Sequence, residues 1–144
     1  MLNLGFDEKL SSRLAASYSV TSTTLTECGL EIFLASNSSY YVELLAPFNT
    51  VLTSGSKVGL HYTGTFITDN DSMCTIRPEV SGGKMFPISA AGAFEDTTPE
   101  NIHYYVGSIR TSTSGRLYVK VAKINGADDD FPLQAGACLV ARRL

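Results

Sequence analysis

The strongest constraint on this chain is a two-residue alternation of apolar and polar side chains, repeated in many short runs. In LEIFLA, Leu30, Ile32 and Leu34 fall on one face, and Glu31 and Phe33 on the other. A strand turns successive side chains to opposite faces, so such a run fits a half-buried strand rather than a helix. YYVELLAPF sets Tyr40, Val42 and Leu44 against Tyr41, Glu43 and Leu45, and Pro47 ends the strand or marks an edge. KVGLHYTGTF sets Val58, Leu60, Tyr62, Gly64 and Phe66 against Lys57, Gly59, His61, Thr63 and Thr65. RLYVKVAKI sets Leu117, Val119 and Val121 against Arg116, Tyr118 and Lys120. Further strands are predicted over YSVTSTTL, IHYYVGSIR and the closing ACLVARRL, with a short one over MCTIRPEV that Pro78 weakens.

Turn residues separate these runs: Asn37-Ser38-Ser39, then TSGS, TDNDS, TSTSG and NGADDD. Residues 81–101 are the least regular part. About eight short strands without a convincing long helix predict an all-β fold, an antiparallel sandwich or small barrel. A jelly roll is the leading topology and an immunoglobulin-like sandwich the second. The absence of Trp, and so of a Cys…Trp…Cys arrangement, lowers the second.

Residues 1–17 read differently. Leu2, Leu4 and Phe6 alternate, after which Asp7 is placed to cap one or two helical turns carrying Leu10 and Leu14. This segment is expected either to lie on a neighbour as an arm or to fold back on its own sandwich. The domain organisation is thus an arm over 1–17 and a β domain over 18–144.

Composition narrows the function. Net charge is −3, and the only basic cluster is the Arg142–Arg143 pair, which argues against nucleic-acid binding. No run of apolar residues is long enough for a membrane helix, and the first ten residues lack the pattern of a signal peptide. Cys28, Cys74 and Cys138 lack metal-ligand spacing and read as buried thiols, consistent with synthesis in a reducing cytoplasm. His61 and His103 fall inside strands, no G-x-S-x-G elbow occurs, and no catalytic residue is assigned. The Asp69-Asn70-Asp71 and Asp128-Asp129-Asp130 runs read as solvated turns, with a calcium loop as the alternative. No cofactor or metal is expected. The doublets Tyr40-Tyr41 and Tyr104-Tyr105 put one ring on each face of a strand. One Tyr of each pair should enter the core. The other is an exposed cross-strand Tyr, an interface residue or a carbohydrate platform.

The stretch LTECGLEIFLASNSSYYVELLAPFNTVLTSGSKVGLHYTG resembles jelly-roll modules of tailed-phage virion proteins. It shows their alternating strand, polar turn and aromatic-led strand, then a GxKxxLxxxG-like run in Gly55, Lys57, Leu60 and Gly64. The end of the chain resembles their closing motif through Leu133, Ala135, Gly136, Leu139 and Arg143. Residues 81–101 match nothing in that pattern. The resemblance implies a homotrimer of tumour-necrosis-factor or C1q shape. It also implies a virion role as capsid cement or decoration protein, head fibre or receptor-binding tip, and it carries no catalytic residues.

A small chain beginning at Met1 and ending on a core strand is expected to be a whole cement protein, bound to the major capsid protein outside the shell. Leu2, Leu4, Phe6, Leu10 and Leu14 would clamp the shell. Tyr41, Tyr105, Ala137, Leu139 and Ala141 would meet at the trimer contact. Phe131 and Leu133 would enter the core, with a tight turn at Ala135-Gly136. The alternative is a receptor- or carbohydrate-binding module that meets a host-surface glycan.

Overall fold

The computed structural model describes residues 9–48, 56–67, 72–75, 85–87, 94–96, 102–127 and 129–144. The strands are β1 (Lys9–Arg13), β2 (Tyr18–Val20), β3 (Thr26–Leu34), β4 (Ser38–Pro47), β5 (Ser56–Tyr62) and β6 (Ser72–Thr75). They continue with β7 (Met85–Pro87), β8 (Phe94–Asp96), β9 (Ile102–Thr111), β10 (Gly115–Lys123), β11 (Phe131–Leu133) and β12 (Cys138–Arg143). No helix occurs among the described residues.

Two antiparallel sheets face each other. One runs β1-β12-β4-β9-β6-β7 and the other β3-β10-β5-β8, while β11 and β2 form a separate pair. β3, β4 and β5 alternate between the two sheets, as do β8, β9 and β10, which gives the chain a jelly-roll winding.

The alternation in the sequence explains the core. Leu30, Ile32 and Leu34 point inward from β3, and Leu117, Val119 and Val121 from β10. Tyr40, Val42 and Leu44 meet them from β4, with Tyr105 and Ile109 from β9 and Leu139 and Ala141 from β12. Phe131 and Leu133 are buried, as the sequence predicts, and Phe131 meets Phe48 edge-on at 5.5 Å. Each such aliphatic side chain contributes about 1.5–3 kcal/mol on leaving water.

β1 departs from expectation. The turn predicted over Leu10 to Leu14 is not a helix: Lys9–Arg13 is a strand paired with β12, from Lys9↔Arg142 to Arg13↔Cys138. A helix of one or two turns is marginal alone, and the backbone bonds offered by β12 outweigh it. The sandwich therefore includes Lys9–Arg13, within the segment expected as an arm. Leu2, Leu4, Phe6 and Asp7, and most of 81–101, lie outside the described residues.

One end of the sandwich is locked by polar contacts. The buried Tyr40 hydroxyl accepts the Ala35 N–H at 2.9 Å and so holds the β3–β4 turn, where Asn37 has φ 48°. Thr111 Oγ1 accepts the Ser38 N–H at 3.2 Å and donates to the Ala35 carbonyl. Thr65 N–H donates to Thr113 Oγ1 at 2.9 Å, and Arg116 N–H to Thr63 Oγ1 at 2.8 Å. Gly64 and Gly115 allow this approach: a Cβ on Gly115 would lie 2.5 Å from the Gly64 nitrogen.

Two substitutions test this account in urea melts. Leu117→Ala should cost about 2–5 kcal/mol through the cavity it leaves. Gly115→Ala should cost about 1–3 kcal/mol by forcing the hairpin away from Gly64. A neutral Gly115→Ala would show that the close approach is not required.

Candidate interaction site

Inward parity decides what each sheet shows outside. On the six-stranded sheet, Tyr41, Glu43 and Leu45 of β4 are half-buried, as are Tyr104 and Val106 of β9 and Cys138 and Val140 of β12. The register sets them in rows. Glu43 lies between Val106 and Val140, Leu45 between Tyr104 and Cys138, and Tyr41 between Ser108 and Arg142. Lys9, Ser11 and Arg13 of β1 are exposed and continue the rows, opposite Arg142, Val140 and Cys138. The result is an apolar and aromatic block with one carboxylate in it and basic residues along one side. Burial holds the Tyr104 phenol above its usual range, helped by the Glu43 carboxylate, which accepts its hydrogen bond.

Only Tyr41 of the five expected trimer-contact residues lies on this face. Tyr105, Ala137, Leu139 and Ala141 are fully buried inside the protein's own sandwich and are not available to a partner. The doublet on β9 is read with the wrong face outward: Tyr105 fills the core, and Tyr104 looks out. The same shift by one residue applies to β12, where Cys138 and Val140 are the outward pair. Ala141 is small because it lies between Leu10 and Val42 in the core layer. Of the expected capsid clamp, Leu10 and Leu14 pack half-buried against this core, so they belong to the sandwich.

The outer face of the other sheet is polar. Arg116 Nη1 donates to Glu27 Oε2 at 3.0 Å and to Glu31 Oε2 at 2.7 Å, while Nη2 donates to Glu27 Oε1 at 3.0 Å. In a regular strand residues 27 and 31 stand about 13 Å apart. Here Tyr118 is opposite Glu31 and Lys120 opposite Glu27, so Cys28, Gly29 and Leu30 share the space beside Val119. This bulge, with Gly29 at φ 95°, brings the two carboxylates within reach of one guanidinium. Cys28 Sγ donates to the Val119 carbonyl at 3.6 Å inside the bulge, and burial pushes that thiol up. Arg116 also lies 4.1 Å above the Tyr118 ring, and the buried His61 stacks on the same ring at 5.5 Å. His61 is therefore a packing residue. His103 and Cys74 lie on described backbone without described side chains.

Among the described residues no three of His, Cys, Asp and Glu group to hold a metal ion. The Asp69–Asp71 turn lies outside the described residues, and Asp130 of the second acidic turn bonds the largely buried Lys123 at 2.9 Å. No described helix is long and apolar enough to cross a membrane. A hollow of about 480 Å³ lies beside Arg13, Leu14, Ala15, Ala135 and Gly136, where Gly136 at φ 94° makes the expected tight turn.

The Arg116 cluster gives a signed pH effect. Its hydrogen bonds hold the Glu27 carboxyl below its ordinary value of 4.5. Stability from this pair is present at neutral pH and is lost as pH falls through the depressed value. The stability gap between the wild type and Arg116→Gln should narrow from about pH 5 to about pH 3, and with added salt, in urea melts. A gap independent of pH would refute the pairing.

No family model matches the chain, and no curated protein is similar to it. Among solved structures it is similar to the Eiger TNF from S. frugiperda, with a TM-score of 0.50 at 8% identity. The match covers 96% of this chain and 92% of that one. At that identity the likeness concerns the fold alone. The chain is an all-β antiparallel jelly roll.

Proposed function

We propose that the protein is a virion structural protein without catalytic activity, a capsid cement or decoration protein of a tailed phage that acts as a homotrimer. Its place is the outer surface of the capsid, and its partners are two further copies of itself and the major capsid protein. The observation that carries the self-association is the outward block of Tyr41, Leu45, Tyr104, Val106 and Val140 on a sheet face. Burying such a block against another copy contributes roughly 25 cal/mol per Å² of apolar area, before association costs. Tyr suits such a contact because its ring is apolar and its hydroxyl keeps a polar partner, as Tyr104 does with Glu43. The virion role rests on the sequence resemblance to phage jelly-roll modules, and the fold bears only on the jelly-roll part of that resemblance.

The experiment uses heads of the virus that encodes the chain, prepared with its gene deleted. Added wild-type protein should co-sediment with these heads and raise the temperature at which they release DNA. Val140→Arg, which sets a large cation on the β12 side of the block, should remain folded but shift to monomer and lose at least tenfold in head binding. Heads that neither bind nor gain stability from the wild-type protein would overturn the cement reading. A glycan array positive for the wild type would then favour host attachment.

A further inference from the structure

Among its described residues, the outward face of the six-stranded sheet carries one carboxylate, Glu43. Glu43 is half-buried between Val106 and Val140, so apolar neighbours flank it on both sides. Cations stand along the β12 and β1 flank, at Arg142, Lys9 and Arg13, with Arg110 two rows away on β9. The hydrogen bond from the Tyr104 hydroxyl draws the Glu43 carboxylate toward the next row. That row runs through Tyr104, Leu45, Cys138 and Arg13, roughly 14 Å across four strands at the usual spacing. Arg13 is exposed at its end. The guanidinium lies beside Gly136, where a Cβ would come within 3.5 Å of Nη2. The hollow next to it leaves that group open to an incoming side chain.

These opposite charges do not meet within one chain. Among the described residues neither Glu43 nor Arg13 forms an ion pair. Two strands and two residues separate their backbones, roughly 12 Å. Covering a carboxylate with apolar surface and no counter-ion costs free energy, and a well-placed guanidinium offsets that cost. A partner that covers this block closely therefore has to bring Glu43 a cation.

We infer that a second copy of the chain covers this block head to tail, with Arg13 of one copy paired to Glu43 of the next. The inference rests on the self-association part of the proposed function and takes nothing from its virion part. Charge complementarity carries it, because one face holds both halves of a pair that its own geometry keeps apart. Contact between two β1 flanks would instead set Lys9, Arg13 and Arg142 against their own kind, which disfavours that order. A cyclic assembly joins unlike flanks, so the β9–β4 side of one copy meets the β12–β1 side of its neighbour. Rotation about an axis along the strands keeps each row at its own height. Arg13 of one copy is then level with Tyr104 of the next and with the carboxylate that Tyr104 holds. A guanidinium bonds both oxygens of a carboxylate in one plane, a geometry that lysine lacks. Tyr104 already orients Glu43, and Arg13 packs against Gly136, so little side-chain freedom is lost on pairing.

The test follows native mass against protein concentration for the wild type, Glu43→Arg, Arg13→Glu and the exchange Glu43→Arg/Arg13→Glu, with a urea melt of each. Both positions lie on the outward face, so all four proteins should fold. Each single variant should weaken assembly at least tenfold, and the exchange should regain at least fivefold over either. A smaller loss in either single, or a smaller recovery in the exchange, overturns the pairing and leaves self-association intact. Wild-type protein that stays monomeric well above micromolar concentration overturns the self-association reading, and the pairing with it. If the melts show a charge-reversed variant unfolded, Glu43→Gln, Arg13→Gln and the two together decide. Losses that fall short of adding up support the pair, and unchanged assembly or fully additive losses overturn it.

Discussion

One apolar layer, shared by two sheets, governs everything else in this protein. Each strand must turn one parity of its residues into that layer. Leu44 of β4 is flanked by Leu139 of β12 and Tyr105 of β9, all three fully enclosed. A slip of one residue in β4 would exchange Leu44 for Leu45 or Glu43 and put a carboxylate in the core. The register is therefore fixed by burial, and the outer face follows from it. Tyr41, Leu45, Tyr104, Val106 and Val140 are outward because their neighbours are inward. The candidate contact surface is a consequence of core packing as much as a feature in its own right.

The long edge strand is handled by local devices. β3 pairs with β10 on one side only and runs nine residues. Its Glu31 N–H donates to the Ser12 hydroxyl of β1 at 3.2 Å, so the two sheets are tied where their edges meet. The Gly29 bulge interrupts the remaining edge, and the Arg116 clasp on Glu27 and Glu31 puts charge beside it. Bulges and charges of this kind discourage strand addition by other chains. The fold thus directs association toward its faces, which is where the proposed contacts lie.

Much of this was legible in the residues. LEIFLA, YYVELLAPF and RLYVKVAKI have only one apolar parity that makes sense, and each faces as its pattern says. IHYYVGSIR is different. Both parities contain one Tyr and at least one aliphatic residue, so the alternation does not choose between Tyr104 and Tyr105. Only the pairing of Tyr105 with Leu44 settles it. ACLVARRL has the same ambiguity, with small or apolar residues on both sides. There, small size reflects the narrow space beneath β1 and β4 and not a three-chain contact. β1 was missed because five residues with a single Leu carry no strand pattern, and its partner lies at the far end of the chain. The Gly29 bulge had no readable signal, since glycine in a strand has several uses.

In the proposed assembly, other copies of the same chain cover the outward face of the six-stranded sheet. The native mass of the wild-type protein in solution tests it most directly. A species near three times 15.5 kDa is the result this account predicts. A monomer that persists as concentration rises well above micromolar would contradict it and leave the Tyr41–Tyr104–Val140 block to some other partner.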